Sequence, residues 1–138
     1  MVEIDVDDLE SVSGFPWRID AKGYVIRSVS WTKIQHLHRL ITNAPDGYVV
    51  DHINGNKLDN RRENLRVCTV AQNLRNRRRA KSNKSGLKGV YLDKTRWRAQ
   101  IRIDGRKICL GSFPTADLAH EAYKFAAREY HGEFARFE

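Results

Sequence analysis

Alternating apolar and polar positions in the C-terminal third of the chain predict a small antiparallel sheet. Within residues 97–103 every second side chain is apolar, which is the period of a strand that buries one face. Shorter apolar runs lie at 89–92 and 107–110, and the Asp104-Gly105 pair between the last two runs is a strong hairpin signal. We therefore expect three short strands joined by tight turns.

A helix is predicted directly after this sheet. Thr115 is a suitable N-cap and Gly132 a suitable C-terminal stop. Between them, apolar side chains recur at helical spacing: Ala119, Ala122, Tyr123, Ala126, Ala127 and Tyr130. Because alanines are small, this helix can lie close to the apolar face of the sheet. The opposite face, with Arg98, Gln100 and Arg102, is then left open to a partner.

The N-terminal half of the chain has shorter signals of both kinds. A turn at Ala21-Lys22-Gly23 indicates a hairpin, and residues 35–42 have the apolar spacing of a short helix. Two further strands, one ending in Asp51-His52 and one at 66–69, enclose a polar loop, and we predict a helix at 70–79. The whole pattern predicts an α+β protein.

The distribution of charge along the chain indicates which class of partner the protein binds. The chain has 138 residues and a formal net charge of +8. Residues 1–50 contain 5 basic and 7 acidic side chains, whereas residues 51–138 contain 20 basic and 10 acidic ones. Residues 75–88 contain seven basic side chains and no acidic one, the composition of a cationic linker. Such an asymmetry favours a polyanionic partner, most commonly nucleic acid, although charge alone also fits a solvated surface.

Several classes of protein are disfavoured by the composition. No apolar run reaches the ~18 residues of a membrane-spanning helix, and the acidic start of the chain resembles no signal peptide. Cys68 and Cys109 lie too far apart for the usual zinc or disulfide patterns. The expected setting is a reducing cytoplasm, and we expect a monomer without a membrane partner or a small-molecule cofactor.

The polar loop between the two central strands contains the residue types of metal-assisted phosphodiester hydrolysis. Asp51 and Asn73 offer the oxygen ligands that Mg²⁺ (or Mn²⁺) prefers. His52 can accept a proton from water at neutral pH. If the strand is regular, Asp51 and His52 point to opposite faces, so we expect a bend there. Asn64, with Asn60 as the alternative, is the candidate to hold the His52 ring in place.

These residues lie in a segment that resembles the HNH endonuclease family, specifically its phage-type and intron-type homing members. The matching residues are LHRLI at 37–41 and VVDHINGNKLDNRRENLRVCTVAQN at 49–73. The resemblance implies that His52 is the general base, Asp51 and Asn73 are metal ligands, and Asn64 braces the hairpin. Many members have histidine at the last position, so this chain is an H-N-N variant.

The C-terminal segment resembles the Apetala-type, or ethylene-response-factor-like, DNA-binding domain. The motifs GVY, LGSF, AYKFAA and HGEFA lie in register over residues 86–138. The resemblance implies a three-stranded sheet, backed by one helix, that enters the major groove of DNA. Its contacts with DNA fall by position on Lys88, Tyr91, Gln100, Arg102, Lys107 and Cys109, and Arg98 shares their face. At Tyr91 and Cys109 plant members often have Arg and Trp, so the target sequence does not transfer.

Together these features predict an HNH nuclease domain at 1–79, with its metal-binding ββα hairpin at about 48–79. A basic linker at 80–87 and a sheet-type DNA-binding domain at 88–138 follow. The predicted activity is divalent-metal-dependent nicking or cutting of double-stranded DNA. The resemblance to phage-type members implies the cytoplasm of a bacterial or phage-infected host cell. The alternative is a non-catalytic, sequence-specific DNA-binding protein with a degenerate HNH hairpin. An RNA-binding module is less favoured because the sheet lacks an aromatic pair placed to stack bases.

Overall fold

Eight short strands form three separate antiparallel sheets in the computed structural model, which describes residues 1–138. The strands are β1 (Arg18–Ile19), β2 (Val25–Ser28), β3 (Ile34–His36), β4 (Val49–His52), β5 (Leu65–Cys68), β6 (Val90–Asp93), β7 (Arg96–Ile103) and β8 (Arg106–Phe113). The helices are α1 (Leu9–Val12), α2 (Leu37–Thr42), α3 (Val70–Arg75) and α4 (Ala116–His131), with 3-10 turns at Val6–Asp8, Arg62–Asn64 and Gly132–Phe134. The predicted α+β class is confirmed.

The chain divides into two compact units, Met1–Val70 and Ala71–Glu138. This division falls earlier in the chain than the predicted functional boundary at residue 79. Each unit has its own apolar core. None of the helices is long and apolar enough to cross a bilayer.

The first unit contains the sheets β1-β2-β3 and β4-β5, with α2 packed against both. Its core is formed by one cluster of buried apolar side chains: Val12, Val25, Leu37, Ile41, Val50 and Leu65. The predicted hairpin at residues 21–23 is confirmed, since Ile19 pairs with Val25. The cluster draws on both sheets and on α2, so it fixes the β4-β5 hairpin relative to β2.

Two predicted helices are shorter in the structure than their sequence pattern. The helix expected at 35–42 begins only at Leu37, because the residues before it form β3 and pair with β2. The helix expected at 70–79 ends at Arg75. Three consecutive arginines, Arg77 to Arg79, follow with no acidic side chain in the segment to offset their repulsion.

The second unit is the predicted three-stranded sheet in the order β6-β7-β8, covered on one face by α4. Ala99 and Ile101 of β7 are buried toward the helix, as the alternation predicted. Thr115 caps α4, since its Oγ1 accepts a hydrogen bond from Leu118 N at 3.3 Å, and Gly132 follows the last helical residue. The sheet and helix approach so closely that a Cβ at Gly89 would overlap the Tyr123 ring.

Candidate active site

His52 is the last residue of β4 and lies buried against the loop that follows it. Its Nε2 is 3.2 Å from Oδ1 of Asn60, a fully buried residue. The Asn60 Nδ2 donates to Lys57 O at 3.3 Å, which fixes the amide so that its oxygen faces the ring. An amide oxygen only accepts, so Nε2 carries the hydrogen and Nδ1 holds the lone pair of the neutral ring.

Other rings surround His52 on the same side of the hairpin. The His38 ring meets it edge-on, with centroids 5.3 Å apart and planes at 82°, and the Tyr24 ring is 6.2 Å away. His36 packs on His38 at 5.2 Å. Tyr24 directly precedes β2, His36 ends β3 and His38 lies on α2, so the fold of residues 24–38 shapes the surroundings of the histidine.

Burial keeps the two inner histidines neutral. It lowers the pKa of His52 below its ordinary value, and the hydrogen bond that the ring donates to Asn60 opposes that shift without reversing it. Burial also lowers the pKa of His38 to about 3, with further lowering by the neighbouring His52 and His36. At neutral pH the His52 ring is therefore in its neutral form, which is the form that acts as a base.

Asp51 is buried on the other face of β4, opposite Arg66 of β5. Both Nε and Nη2 of Arg66 donate to Asp51 Oδ2, at 2.9 and 2.8 Å. The β4-β5 pairing is regular from Val49 through His52, so the bend expected between Asp51 and His52 is not found there. Because adjacent side chains of a regular strand point to opposite faces, the structure does not bring Asp51 and His52 onto one face of β4.

Asn64 closes the loop between β4 and β5 rather than touching the histidine ring. Its Oδ1 accepts from Asn54 N at 2.9 Å, and its Nδ2 donates to Asp59 O at 2.8 Å. Asp59 in turn accepts from Asn54 Nδ2 at 2.9 Å and from Arg61 Nε at 2.8 Å. These contacts, led by the hydrogen bond from Arg61, lower the pKa of Asp59 to about 2. Thus Asn60, the alternative to Asn64, is the asparagine in contact with His52.

Asn73 lies on α3 and is half-buried. It falls in the second unit, whereas Asp51, His52 and Asn64 all fall in the first. Its place in a metal site therefore stays a prediction from the sequence pattern.

Six of the predicted DNA-contacting residues share the face of the second sheet that α4 leaves uncovered. The strand register pairs Tyr91 with Arg98 and Arg102 with Lys107. Gln100 pairs with Cys109 across a β-bulge on that same face. The side chains alternate on β7, so the uncovered face presents Arg98, Gln100 and Arg102.

Two of the basic side chains on this sheet already have partners within the unit. Arg98 Nε lies 2.7 Å from Asp93 Oδ2, and Arg102 Nη1 donates to Gly105 O at 2.9 Å. Lys88 precedes β6, and its Nζ donates to Arg75 O at 3.3 Å. The predicted contact residues are thus brought together on one face, with Lys88 at its margin.

Comparison with known proteins decides the family. The HNH endonuclease family model matches residues 36–75, the segment that holds Asp51, His52, Asn64 and Asn73. The chain is 39% identical over 95 residues to Protein 3.8 of Escherichia phage T7, covering 67% of this chain and 78% of that protein. It is 34% identical over 139 aligned positions to the Uncharacterized HNH endonuclease L560 of Acanthamoeba polyphaga mimivirus, covering 96% of this chain and 71% of the relative.

The chain belongs to the HNH endonuclease family. Membership implies nuclease activity on DNA, and HNH nucleases generally use a divalent metal ion. No solved structure matches the chain.

The donor chemistry of this HNH endonuclease suits a hard divalent cation. The candidate ligands, the Asp51 carboxylate and the Asn73 amide, both present oxygen atoms, which Mg²⁺ and Mn²⁺ favour. Arg66 occupies Asp51 Oδ2, yet a carboxylate has about four acceptor positions on its two oxygens. The Arg66 contact is therefore compatible with a metal ligand at Asp51 and would hold its carboxylate in one orientation.

Three features of this nuclease site were missed by sequence reasoning. Arg66 faces Asp51 across the hairpin, and Tyr24 lies beside the His52 ring. The N-terminal segment supports the loop, since Asn60 N donates to Glu3 O at 2.8 Å. Of these three features, only the Arg66 contact could have been found from the sequence. When two strands are paired across a loop of known length, the register fixes which residues face each other.

Proposed function

We propose that this HNH endonuclease hydrolyses phosphodiester bonds of double-stranded DNA with His52 as the general base. The observation that carries the proposal is the state of the His52 ring. The ring is buried, its protonated Nε2 is held by Asn60, and burial lowers the pKa of the histidine. A base in that state accepts protons at neutral pH through Nδ1.

In the proposed reaction, a water oxygen attacks the scissile phosphorus while His52 Nδ1 takes the water proton. The P–O bond on the far side breaks, and the leaving oxygen is protonated from solvent. The Asp51 and Asn73 oxygens would hold Mg²⁺ or Mn²⁺, with Arg66 orienting Asp51. When bound, the ion stabilises the charge that develops on the phosphate and the leaving oxygen.

Asn64 serves as an ordering residue in this proposal. Its two side-chain hydrogen bonds join the start of the loop at Asn54 to the middle at Asp59. The loop so closed carries Asn60 to the His52 ring. This arrangement supports a role for Asn64 in site geometry and leaves the direct contact to Asn60.

The C-terminal sheet is the proposed targeting surface, resembling an Apetala-type domain. Support comes from the uncovered face with Tyr91, Gln100, Arg102 and Lys107. Arg and Gln side chains suit two-bonded contacts with guanine and adenine edges in the major groove. Lys88 and Arg98 are proposed to add contacts at the margin of this face.

One observation favours the alternative, a DNA-binding protein without catalysis. Asp51 is already paired with Arg66 through two hydrogen bonds. If this ion pair replaces the metal instead of orienting its ligand, the hairpin is only a scaffold. Both functions include DNA binding, so binding does not separate them.

Cleavage of supercoiled plasmid separates the two functions. With Mg²⁺ or Mn²⁺ we expect relaxed or linear product from the wild type, and none with EDTA or with His52→Ala. His120→Ala is the matched control, because this histidine lies in the second unit, where it bonds to Phe137 O and stacks on Tyr123. Intact plasmid with every metal would establish the alternative. Product from His52→Ala at the wild-type rate would exclude His52 as the base.

A further inference from the structure

The basic segment 75–88 is folded onto the second unit rather than spanning between elements as an extended tether. Asn83 Nδ2 donates to Leu87 O at 2.8 Å, and Ser85 N donates to Asn83 Oδ1 at 2.9 Å. Ser85 Oγ also donates to Val90 O at 2.7 Å, which joins the segment to the first residue of β6. Paired backbone and side-chain groups of this kind fix a turn.

The segment is also attached within the unit at its first residue and near its middle. Arg75 Nη2 lies 3.3 Å from Asp104 Oδ1 in the turn between β7 and β8. Arg79 N donates to Glu138 O at 3.2 Å. We call residues 75–84 the basic arm. The arm is thus anchored once to the β7–β8 turn and once to the C-terminal residue, while several of its arginines stay exposed.

A groove of about 1180 Å³ lies between the basic arm and the sheet. Residues of the arm line one side, and Tyr91, Gln100, Arg102 and Lys107 of the sheet line the other. The lining includes eight Lys and Arg side chains and one carboxylate, Asp104. The uncovered sheet face is therefore one wall of a cationic groove whose other wall is the arm.

Lys88 is held in the groove with its charged form disfavoured, chiefly by burial. Its side chain lines the groove, and burial lowers its pKa to about 8, with further lowering by the nearby Arg136. A cation whose charged form is disfavoured gains when an anion enters its surroundings. A phosphate in the groove would supply that anion.

We propose that the basic arm is the second wall of the DNA-binding groove and contacts the phosphate backbone of duplex DNA there. This proposal rests on the proposed targeting role of the sheet, and it assigns a different task to the arm. Arginines on a phosphate path add affinity and register without reading sequence, whereas the sheet reads base edges. The arm acts as part of the recognition surface and not as a spacer.

Salt dependence of binding tests the role of the arm. The intact 138-residue chain is titrated onto a short random-sequence duplex at several salt concentrations. EDTA is present so that no cleavage occurs. Arg77 and Arg78 are exposed arm residues that line the groove. In Arg77→Gln/Arg78→Gln we expect the slope of log K against log salt to flatten by about 2, since each lost phosphate contact removes about 0.9.

The matched control also removes two positive charges, but from α4, the helix that covers the opposite face of the sheet. Lys124→Gln/Arg128→Gln alters neither wall of the groove, so we expect the wild-type slope. Equal flattening in both double variants, or none in the arm variant, overturns the proposal while DNA binding stands. Tighter binding to the single strand than to the duplex also overturns it. A wild type that binds no DNA would overturn both this proposal and the targeting function.

Discussion

At the scale of single residues, the amide of Asn60 determines which nitrogen of His52 can act as a base. Its oxygen faces Nε2 because its nitrogen is committed to Lys57 O. The same hydrogen bond favours the charged ring and so raises the pKa of His52 against the larger effect of burial. Asn60 thus sets both the tautomer and the pH range over which His52 is neutral.

Substitutions of Asn60 are expected to shift the pH–rate profile in opposite directions. Asn60→Ala removes a contribution that raises the pKa of His52, so the acidic limb of activity moves to lower pH. Asn60→Asp strengthens that contribution, so the limb moves to higher pH. Loss of an orienting partner is also expected to lower kcat of Asn60→Ala by about 10–100-fold. Plasmid nicking rates across pH measure both effects, and unchanged profiles in both variants would contradict the assignment.

His38 is expected to make the fold sensitive to acid. Its ring is buried among Tyr24, His36 and His52, and its Nδ1 has no hydrogen-bond partner. The folded pKa of about 3 lies below the unfolded value, so folding excludes the proton. Stability is therefore fully present above the unfolded pKa and is lost as pH falls from there toward about 3.

The substitution His38→Phe keeps a ring at this site without the titration. Between about pH 7 and about pH 5 we expect the wild type to lose about 2 kcal/mol more unfolding free energy than His38→Phe. Urea unfolding at the two pH values measures the difference, in which groups common to both proteins cancel. Parallel losses in the two proteins would show that His38 is protonated without cost.

At the scale of elements, the N-terminal segment supports the loop that carries Asn60. Glu3 N donates to Leu58 O at 2.8 Å, and Asn60 N returns a hydrogen bond to Glu3 O. Farther along, Asp8 is buried and accepts from Arg62 Nε at 2.9 Å. The acidic start of the chain thus serves as a partner for the loop between β4 and β5.

Removal of one partner of the Asp8–Arg62 pair is expected to lower the unfolding free energy more than removal of both partners. Arg62→Ala leaves a buried carboxylate unpaired, which we expect to lower the unfolding free energy by about 1–3 kcal/mol. The double variant Asp8→Ala/Arg62→Ala should recover part of that loss. Arg18→Ala serves as a control, since its contact with Ser28 Oγ is exposed. Chemical unfolding measures all three, and a double variant less stable than Arg62→Ala would contradict this account.

Local patterns predicted elements well and partners poorly. The alternation in β7 and each cap of α4 depend on residues that are close together in the sequence. The sequence pattern alone therefore located both features. The choice of Asn60 over Asn64 depended on how the loop folds back. The support from Glu3 crosses more than fifty positions of the chain. Long-range hydrogen bonds of this kind leave no periodic pattern in the sequence. The supporting contacts that distant residues make with the site were therefore missed.

At the scale of the whole molecule, the predicted chemistry and the predicted targeting depend on different residues. His52 lies in the first unit, in which basic side chains do not outnumber acidic ones. Arg102 lies on the uncovered sheet face of the second unit, which has an excess of basic side chains. A phosphate-rich partner gains affinity from the basic unit, whereas proton transfer depends on a single buried ring. Variants at the two positions should therefore alter different kinetic constants.

Arg102→Ala is expected to raise the KM for plasmid DNA by the equivalent of about 1–3 kcal/mol, because a base-edge contact is lost. Its kcat at saturating DNA should stay at the wild-type value. His52→Ala should show the reverse, with wild-type DNA affinity in EDTA and no measurable turnover with metal. Arg128→Ala on α4 is the control for loss of one positive charge, and its KM should change little. If Arg102→Ala lowered kcat as much as it raised KM, the sheet would take part in the chemical step, and the separation of binding from catalysis would be wrong.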